Sequence, residues 1–459
     1  MRTIISLFLI CLQTLVQAQD STILKAFLLG LNDNHPMLKS ANITLEQYQL
    51  KLLQARGGFD PKIELLHQQK EFNGTEYYNQ NKAEIKIPTW YGIELKGGYE
   101  LNTGQYLNNE NTTGLDGLSY AEISIPILQN LLLDQRRASL TTAQFELAMG
   151  AADRQAQLND LYLLVSLAYW DWYESTSLQN LYADAVKVAD TRLQAIKRTV
   201  ALGSYALIDT VEAFMELSRR QAVLQEFNAR QIGAFNQLMN HAWSTDSNSL
   251  SYSNPSFQLL FTTDKLLQMV DSFVLENHPS IVKIDQKLLS NSVEQNLYKQ
   301  QYLPDVRLSY KPLVSGTSMA NYSTENYTIG ASAQVPLFFR KERAKYQLTV
   351  AKGEQINQDL RLKQRTLIND LNTYTQSLQM LTEMLAYQQN MVNAANRMLV
   401  AERRRLELGD ATIFMINYRE RYLLEAQMKL IKTQKDLAKT QSVLLHKLGL
   451  DVLELLKNT

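Results

Sequence analysis

The chain has 459 residues, and its 46 lysines and arginines equal its 46 aspartates and glutamates. A zero net charge leaves no electrostatic footprint for nucleic acid or for a charged membrane surface. The single cysteine, Cys11, sits in an apolar N-terminal run, so the rest of the chain has no disulfide and no thiol chemistry.

Residues 1–18 have the form of a secretory signal: Arg2, an apolar run from Ile4 to Val16, then the small residue Ala18. Cleavage there would leave a chain starting at Gln19. Lipidation of Cys11 would need a small residue before it, and Ile10 stands there. Beyond this leader no run of 18 or more apolar residues occurs, so no transmembrane helix is expected. An exported chain of this kind is soluble, surface-bound or a β-barrel.

A helical stretch over about 21–56 leads to strands over about 62–128. A long helix over about 130–202 and a return helix over about 207–241 follow, completing a first repeat, 19–245. A linker rich in Ser, Asn and Thr spans 246–263. The second repeat, 264–450, runs through a helical stretch to about 301, strands over about 305–338, a long helix over about 340–408 and a return helix over about 413–447. A tail, 451–459, closes the chain.

The repeats match in spacing as well as order. Asn34-His35-Pro36 recurs as Asn277-His278-Pro279, and a second proline, Pro61 or Pro304, follows the first by 25 positions. Arg137-Ala138 recurs as Arg343-Ala344, and Gly203 or Gly409 follows the alanine by 65. Spacings kept over such distances imply rigid elements, because loops drift. Apolar residues at 158, 161, 165, 168 and 172, and at 367, 371, 374, 378, 381 and 385, form heptad seams. At 1.5 Å per residue a 65-residue helix is a rod of about 98 Å. Gly203 and Gly409 stand where C-caps turn each rod into a hairpin.

Between Pro61 and Arg137 the period becomes two. From Tyr91 to Leu101 the odd positions are mostly apolar and the even ones small or charged, and Ala121 to Ile127, Val306 to Lys311 and Tyr327 to Val335 alternate likewise. One apolar face and one polar face suit a transmembrane barrel strand, and equally a half-buried strand of a soluble sandwich. The first copy is 33 residues longer between its prolines, so the chain offers four to six strands. About eight is the minimum for a lipid-spanning barrel, and an open edge is not tolerated in lipid. Several chains must then share one barrel.

Pro126-Ile127-Leu128 and Pro336-Leu337-Phe338, each leading into an Arg-Ala pair at the start of a long helix, together with Leu202-Gly203, Asp209, Ala213 and Leu408-Gly409 at the hairpin turns, resemble the TolC-like outer membrane efflux proteins. The resemblance covers almost the whole chain after residue 18. It implies a mainly α fold with β, in which three chains form one β-barrel in the outer membrane of a Gram-negative bacterium, continued by an α-helical barrel in the periplasm. It further implies a homotrimeric exit duct of a tripartite efflux or type I secretion system. Its partners would be a periplasmic adaptor (membrane fusion) protein, an inner-membrane RND or ABC transporter and outer membrane lipid, with no nucleic acid, no cofactor, no metal and no catalytic activity. A secreted coiled-coil adhesin or structural protein is the competing reading.

In that family the free ends of the helical hairpins close the tunnel, and an acidic ring there comes from the second copy. Here Met415 and Tyr418 hold those positions, six and nine after Gly409, while the first copy carries Asp209 and Glu212. Asp209 is expected near Lys197 and Arg198 across its hairpin, whereas Arg403 and Arg404 have no obvious acid in theirs. One expectation is that Arg403 or Arg404 reaches Asp209 or Glu212 on an adjacent hairpin, with Ile413, Phe414, Met415 and Ile416 forming an apolar constriction. The alternative is ordinary solvated charges, worth about 0 to 1 kcal/mol each. The turns Leu202-Gly203 and Leu408-Gly409 are the expected adaptor contact. Met380, Met384, Met391 and Met398 form a helical stripe beside the heptad seam, suited to packing more than to a soft metal. His35 and His278 precede prolines and suit helix starts. Tyr169, Trp170, Trp172 and Tyr173 suit helix packing. No metalloprotease pair, phosphate loop or nucleophile elbow is present.

Overall fold

A computed structural model describes residues 23–31, 35–203, 206–243, 254–318 and 322–457. The expected leader 1–18, with Cys11 and the cleavage point, lies outside these residues, as do Asn34 and much of the linker. Nine helices of six or more residues are described: α1 Ile23–Gly30, α2 Pro36–Arg56, α3 Gln135–Ala201, α4 Leu207–Met239, α5 Thr263–Asp271, α6 Pro279–Gln300, α7 Arg340–Glu407, α8 Ile413–Leu448 and α9 Val452–Lys457. The strands are β1 Lys62–Phe72, β2 Thr75–Pro88, β3 Glu94–Thr103, β4 Leu118–Pro126, β5 Asp305–Ser315 and β6 Tyr322–Gln334. The nine prolines of the sequence stand clear of every helix interior. Pro36 and Pro279 occupy the first helical positions of α2 and α6, where a missing N–H costs nothing.

Two compact units share the chain. One comprises residues 43–153 and 280–363; the other comprises the remainder. α3, of 67 residues, and α7, of 68, run through both as unbroken helices about 100 Å long.

The first unit holds a single antiparallel sheet in strict chain order, β1 to β6. The alternation seen in sequence is realised on its two faces. Paired positions Ile63↔Ile85, Ile87↔Leu95, Leu95↔Ile123 and Tyr310↔Ile329 share one face, which is apolar and largely exposed. Lys82↔Glu100, Lys96↔Glu122 and Ser124↔Ser309 share the other, which is polar. β1 and β6 have no neighbour on their outer edges among the described residues. Beneath the sheet, Phe59 stacks on Trp90 with ring centroids 4.2 Å apart.

The second unit is helical. Its core gathers Leu158, Leu161, Val165, Tyr169, Trp170 and Trp172 of α3 with Leu371 and Leu378 of α7 and Leu437 and Leu444 of α8. The heptad seams are therefore packed, and the aromatic quartet of α3 lies within this core. The linker contributes to this core: Phe257 packs on Trp170 and Tyr173, and Phe261 is buried. The methionine stripe does not fill the seam within the chain; Leu378, Leu381 and Leu385 do, and Met380, Met384 and Met398 are exposed.

The two histidines mark junctions. His35 caps α2, its Nδ1 accepting from the Met37 N–H at 3.2 Å, and its ring stacks on His241, just beyond the end of α4. His278 takes the same place before α6, against Gly449 at the end of α8. In each repeat the return helix thus ends where the short helix of the same repeat begins.

Candidate functional site at the hairpin turns

Each hairpin turns on a glycine in the left-handed region. Gly203 has φ +79° and Gly409 φ +81°, and their N–H groups donate to the carbonyls of Val200 and Leu406. This is the helix-ending geometry that a side chain disfavours. Thr412 starts α8, its hydroxyl accepting from the Met415 N–H, and Arg405 clasps Asp410 across the turn at 3.2 Å. Leu202 and Leu408 project into solvent at 81% and 78% exposure.

Beyond the turns the helices of both hairpins are tied together by buried charge. Glu420 of α8 accepts from Arg192 of α3, from Arg220 of α4 at 2.9 Å and from Arg403 of α7 at 2.9 Å. Four helices therefore meet at one carboxylate. Arg220 also donates to Glu216 at 2.8 Å and to the Ala185 carbonyl at 3.0 Å. Glu216 in turn accepts from Arg219 at 2.7 Å and lies 3.6 Å from Arg421. Asn417 receives Arg192 at 2.6 Å and donates to Glu212 at 3.1 Å, so it bridges the hairpins as well. Arg220, Glu420 and Glu216 are almost wholly buried. Burial by itself would raise the pKa of both acids. The guanidinium hydrogen bonds outweigh it, from Arg192, Arg403 and Arg220 for Glu420 and from Arg219 and Arg220 for Glu216, and hold both below the usual carboxylate range.

This arrangement corrects the sequence reading of the tip. Arg403 does have an acid in its own hairpin, Glu420. Asp209 caps its own helix, accepting from the Ala206 N–H at 3.1 Å, and Glu212 pairs with Asn417. Ile413 and Ile416 are buried; Ile413 packs with Leu193, Ile196, Ala213 and Leu217, so these isoleucines cannot line an open passage. Phe414 is exposed and Met415 partly so. Arg198 and Arg404 are exposed and outside every ion pair among the described residues. A cleft of about 230 Å³ between α4 and α8 is lined by Glu212, Met215, Arg219, Phe414, Tyr418 and Arg421, among others.

Glu420, Arg220 and Arg192 are the residues that sequence reasoning missed. A signal was present. Ile413, Ile416, Glu420 and Leu424 fall at steps of three and four, which sets a charge on the buried stripe of α8.

Residues 272–450 match the family model described as outer membrane efflux protein. No curated protein matches the chain by sequence. Among solved structures, the outer membrane channel CmeC of Campylobacter jejuni superposes with a TM-score of 0.66 at 14% identity, over 93% of this chain and 85% of that one. The outer membrane protein VceC of Vibrio cholerae gives 0.66 at 17%, over 93% and 96%. The open state of the MtrE outer membrane channel of Neisseria gonorrhoeae gives 0.67 at 13%, over 94% and 89%. One sheet feeding two long helical hairpins is thus the fold of outer membrane channel subunits. The chain shares that fold, and the match to the outer membrane efflux protein family falls on its second repeat.

Proposed function

We propose that this chain is the outer membrane exit duct of a tripartite efflux or type I secretion system. It acts as a homotrimer whose sheets close one barrel in the outer membrane and whose helical hairpins extend into the periplasm. The observation that carries this reading is the sheet. Among the described residues it has an apolar exposed face, a polar face and two unpaired edges, and its six strands are too few to close in lipid alone.

Leu202-Gly203 and Leu408-Gly409, exposed at the hairpin ends, serve as the contact for a periplasmic adaptor, which delivers cargo from an inner-membrane RND or ABC transporter. The buried arginine and glutamate cluster holds the two hairpins of one chain together. Arg198 and Arg404, left exposed, face neighbouring copies at the closed tip, and Phe414 and Met415 supply the apolar side chains there. No part of this role calls for bond-making chemistry.

Fractionation tests the reading. The chain should be recovered in the outer membrane as a detergent-resistant oligomer. Recovery as a soluble monomer would overturn the duct and favour the secreted coiled-coil alternative.

A further inference from the structure

The sheet is not two equal halves. Pro61 and Pro304 stand 25 positions after equivalent prolines, which makes β1 the counterpart of β5. Pro126 and Pro336 end the strand region of each copy, which makes β4 the counterpart of β6. β2 and β3 have no counterpart, and they account for the 33 additional residues of the first repeat. A hairpin added to a repeat can sit outside the sheet as an appendage, leaving β1 to pair with β4. Here it lies in the ladder on both sides, β1 pairing with β2 and β3 with β4.

The polar face ties the insertion to both repeats. Lys96 of β3 reaches Glu122 of β4 at 2.9 Å, and Glu100 of β3 receives Lys311 of β5 at 3.3 Å. The Tyr120 hydroxyl of β4 donates to Glu84 of β2. Gly98 of β3 leaves room for that tyrosine, since a Cβ there would lie 2.6 Å from the Tyr120 hydroxyl. The periplasm-side turn of the insertion is anchored too, through Trp90 on Phe59 and through Glu94, which accepts from Arg136 at 3.0 Å. Within the cluster Lys82, Lys96 and Lys311 are balanced by Glu84, Glu100 and Glu122.

We infer that β2 and β3 are wall strands that widen the membrane section, so that three copies close an eighteen-stranded barrel suited to bulky cargo that is not sorted by the sign of its charge. This rests on the trimeric duct reading above. The strand directions allow the closure: six alternating strands leave β1 and β6 antiparallel, so β6 of one copy can pair with β1 of the next around the ring. With strands about 4.8 Å apart and tilted by about 40°, eighteen give a backbone diameter of about 36 Å, whereas the twelve expected from two strands per repeat give about 24 Å. The lining pairs its charges, so it presents a polar wall with little net field.

Two measurements on the full-length protein test this. In intact outer membranes, Lys96→Cys should react with a membrane-impermeant maleimide and Leu95→Cys, one residue away on the apolar face, should not. Equal labelling of both, or labelling of Leu95→Cys alone, would place the hairpin outside the wall and overturn the inference, as would failure of both to react while an exposed turn cysteine does. Electron-microscopic averages of the detergent-purified oligomer, viewed down the barrel, should show a wall ring of about 36 Å, and a ring of about 24 Å would overturn it. A third arm separates this inference from the reading beneath it. Leu65→Cys on β1 combined in turn with Ile329→Cys, Ala331→Cys or Ala333→Cys on β6 should give covalent multimers. Multimers together with a narrow ring would remove only the widening, whereas a soluble monomer would remove the duct.

Discussion

Arg220 and Glu420 lie 200 residues apart in sequence and meet at 2.9 Å, with almost no solvent access to either. Each sits on the buried stripe of its return helix, so the contact fixes one hairpin against the other. Removing one member leaves the other buried and uncompensated, at a cost of about 3 to 5 kcal/mol. Glu420→Ala is expected to lower the thermal stability of the purified protein and to raise hydrogen exchange in α4 and α8 selectively. The double variant Arg220→Met with Glu420→Met should recover part of the loss, because an apolar pair of similar size needs no desolvated charge. Exchange that is unchanged in both helices would show that the pair does not clamp the hairpins.

The same cluster sets a response to acid. Glu216 and Glu420 are held below the ordinary carboxylate value of 4.5, so the unfolded chain takes up protons before the folded one does. Their contribution is complete above that value and drains away as pH falls below it. The separation of the hairpins, followed by exchange or by a fluorophore pair across α4 and α8, should therefore begin below about pH 4.5. In Glu420→Gln the acid-dependent phase should shrink while the neutral-pH stability falls.

A second acid response belongs to the helix junction at His35. Burial lowers the pKa of both His35 and His241, and the facing His241 lowers that of His35 further. For a base so depressed, stability is full above the ordinary value of 6.5 and is lost as pH falls through it. The melting temperature in detergent should drop between pH 7.5 and 5.5, and His241→Asn should flatten that slope. An identical slope in the variant would place the titration elsewhere.

On the sheet, Gly98 and Tyr120 occupy one space. Gly98→Ala places a methyl where the tyrosine hydroxyl now lies, so the ring must move and its bond to Glu84 must break. Yield of folded oligomer is expected to fall severalfold in Gly98→Ala and to recover only in part in Gly98→Ala with Tyr120→Ala, because the added Cβ would also lie 2.7 Å from the Ala83 carbonyl. Such non-additivity is the mark of two groups in contact.

The sequence made some of this architecture legible and hid the rest for a physical reason. Repeat spacing gave the two long helices, and period-two alternation gave the faces of β3 to β6, because both patterns repeat within a few residues. β1 is weaker in that respect: Leu65 and Leu66 are adjacent, and its upper half, His67 to Glu71, is polar on both faces. Its pairing comes from β2, not from its own pattern. The charge cluster was hidden more deeply. A shift of 206 takes Glu420 to Phe214, Arg220 to Ala426 and Arg192 to Met398, so the duplication that located the turns says nothing about the tie between them. Only the misplaced charge at 420 on an apolar stripe pointed to it.

Arg403 and Arg404 are neighbours with opposite assignments, and that difference can be measured. Arg403 is spent within its own chain on Glu420, whereas Arg404 is exposed and pairs with no acid among the described residues. Arg403→Ala should loosen each chain, showing itself in hydrogen exchange of α7 and α8 even where no neighbouring copy is engaged. Arg404→Ala should leave the chain unaltered and act only where copies meet, raising single-channel conductance in bilayers if the tip is held shut between subunits. Asp209→Ala gives the complementary reading, since its carboxylate caps α4 and has one oxygen to offer a neighbour. Conductance unchanged in both Arg404→Ala and Asp209→Ala would remove an intersubunit lock at these residues and leave closure to Phe414 and Met415.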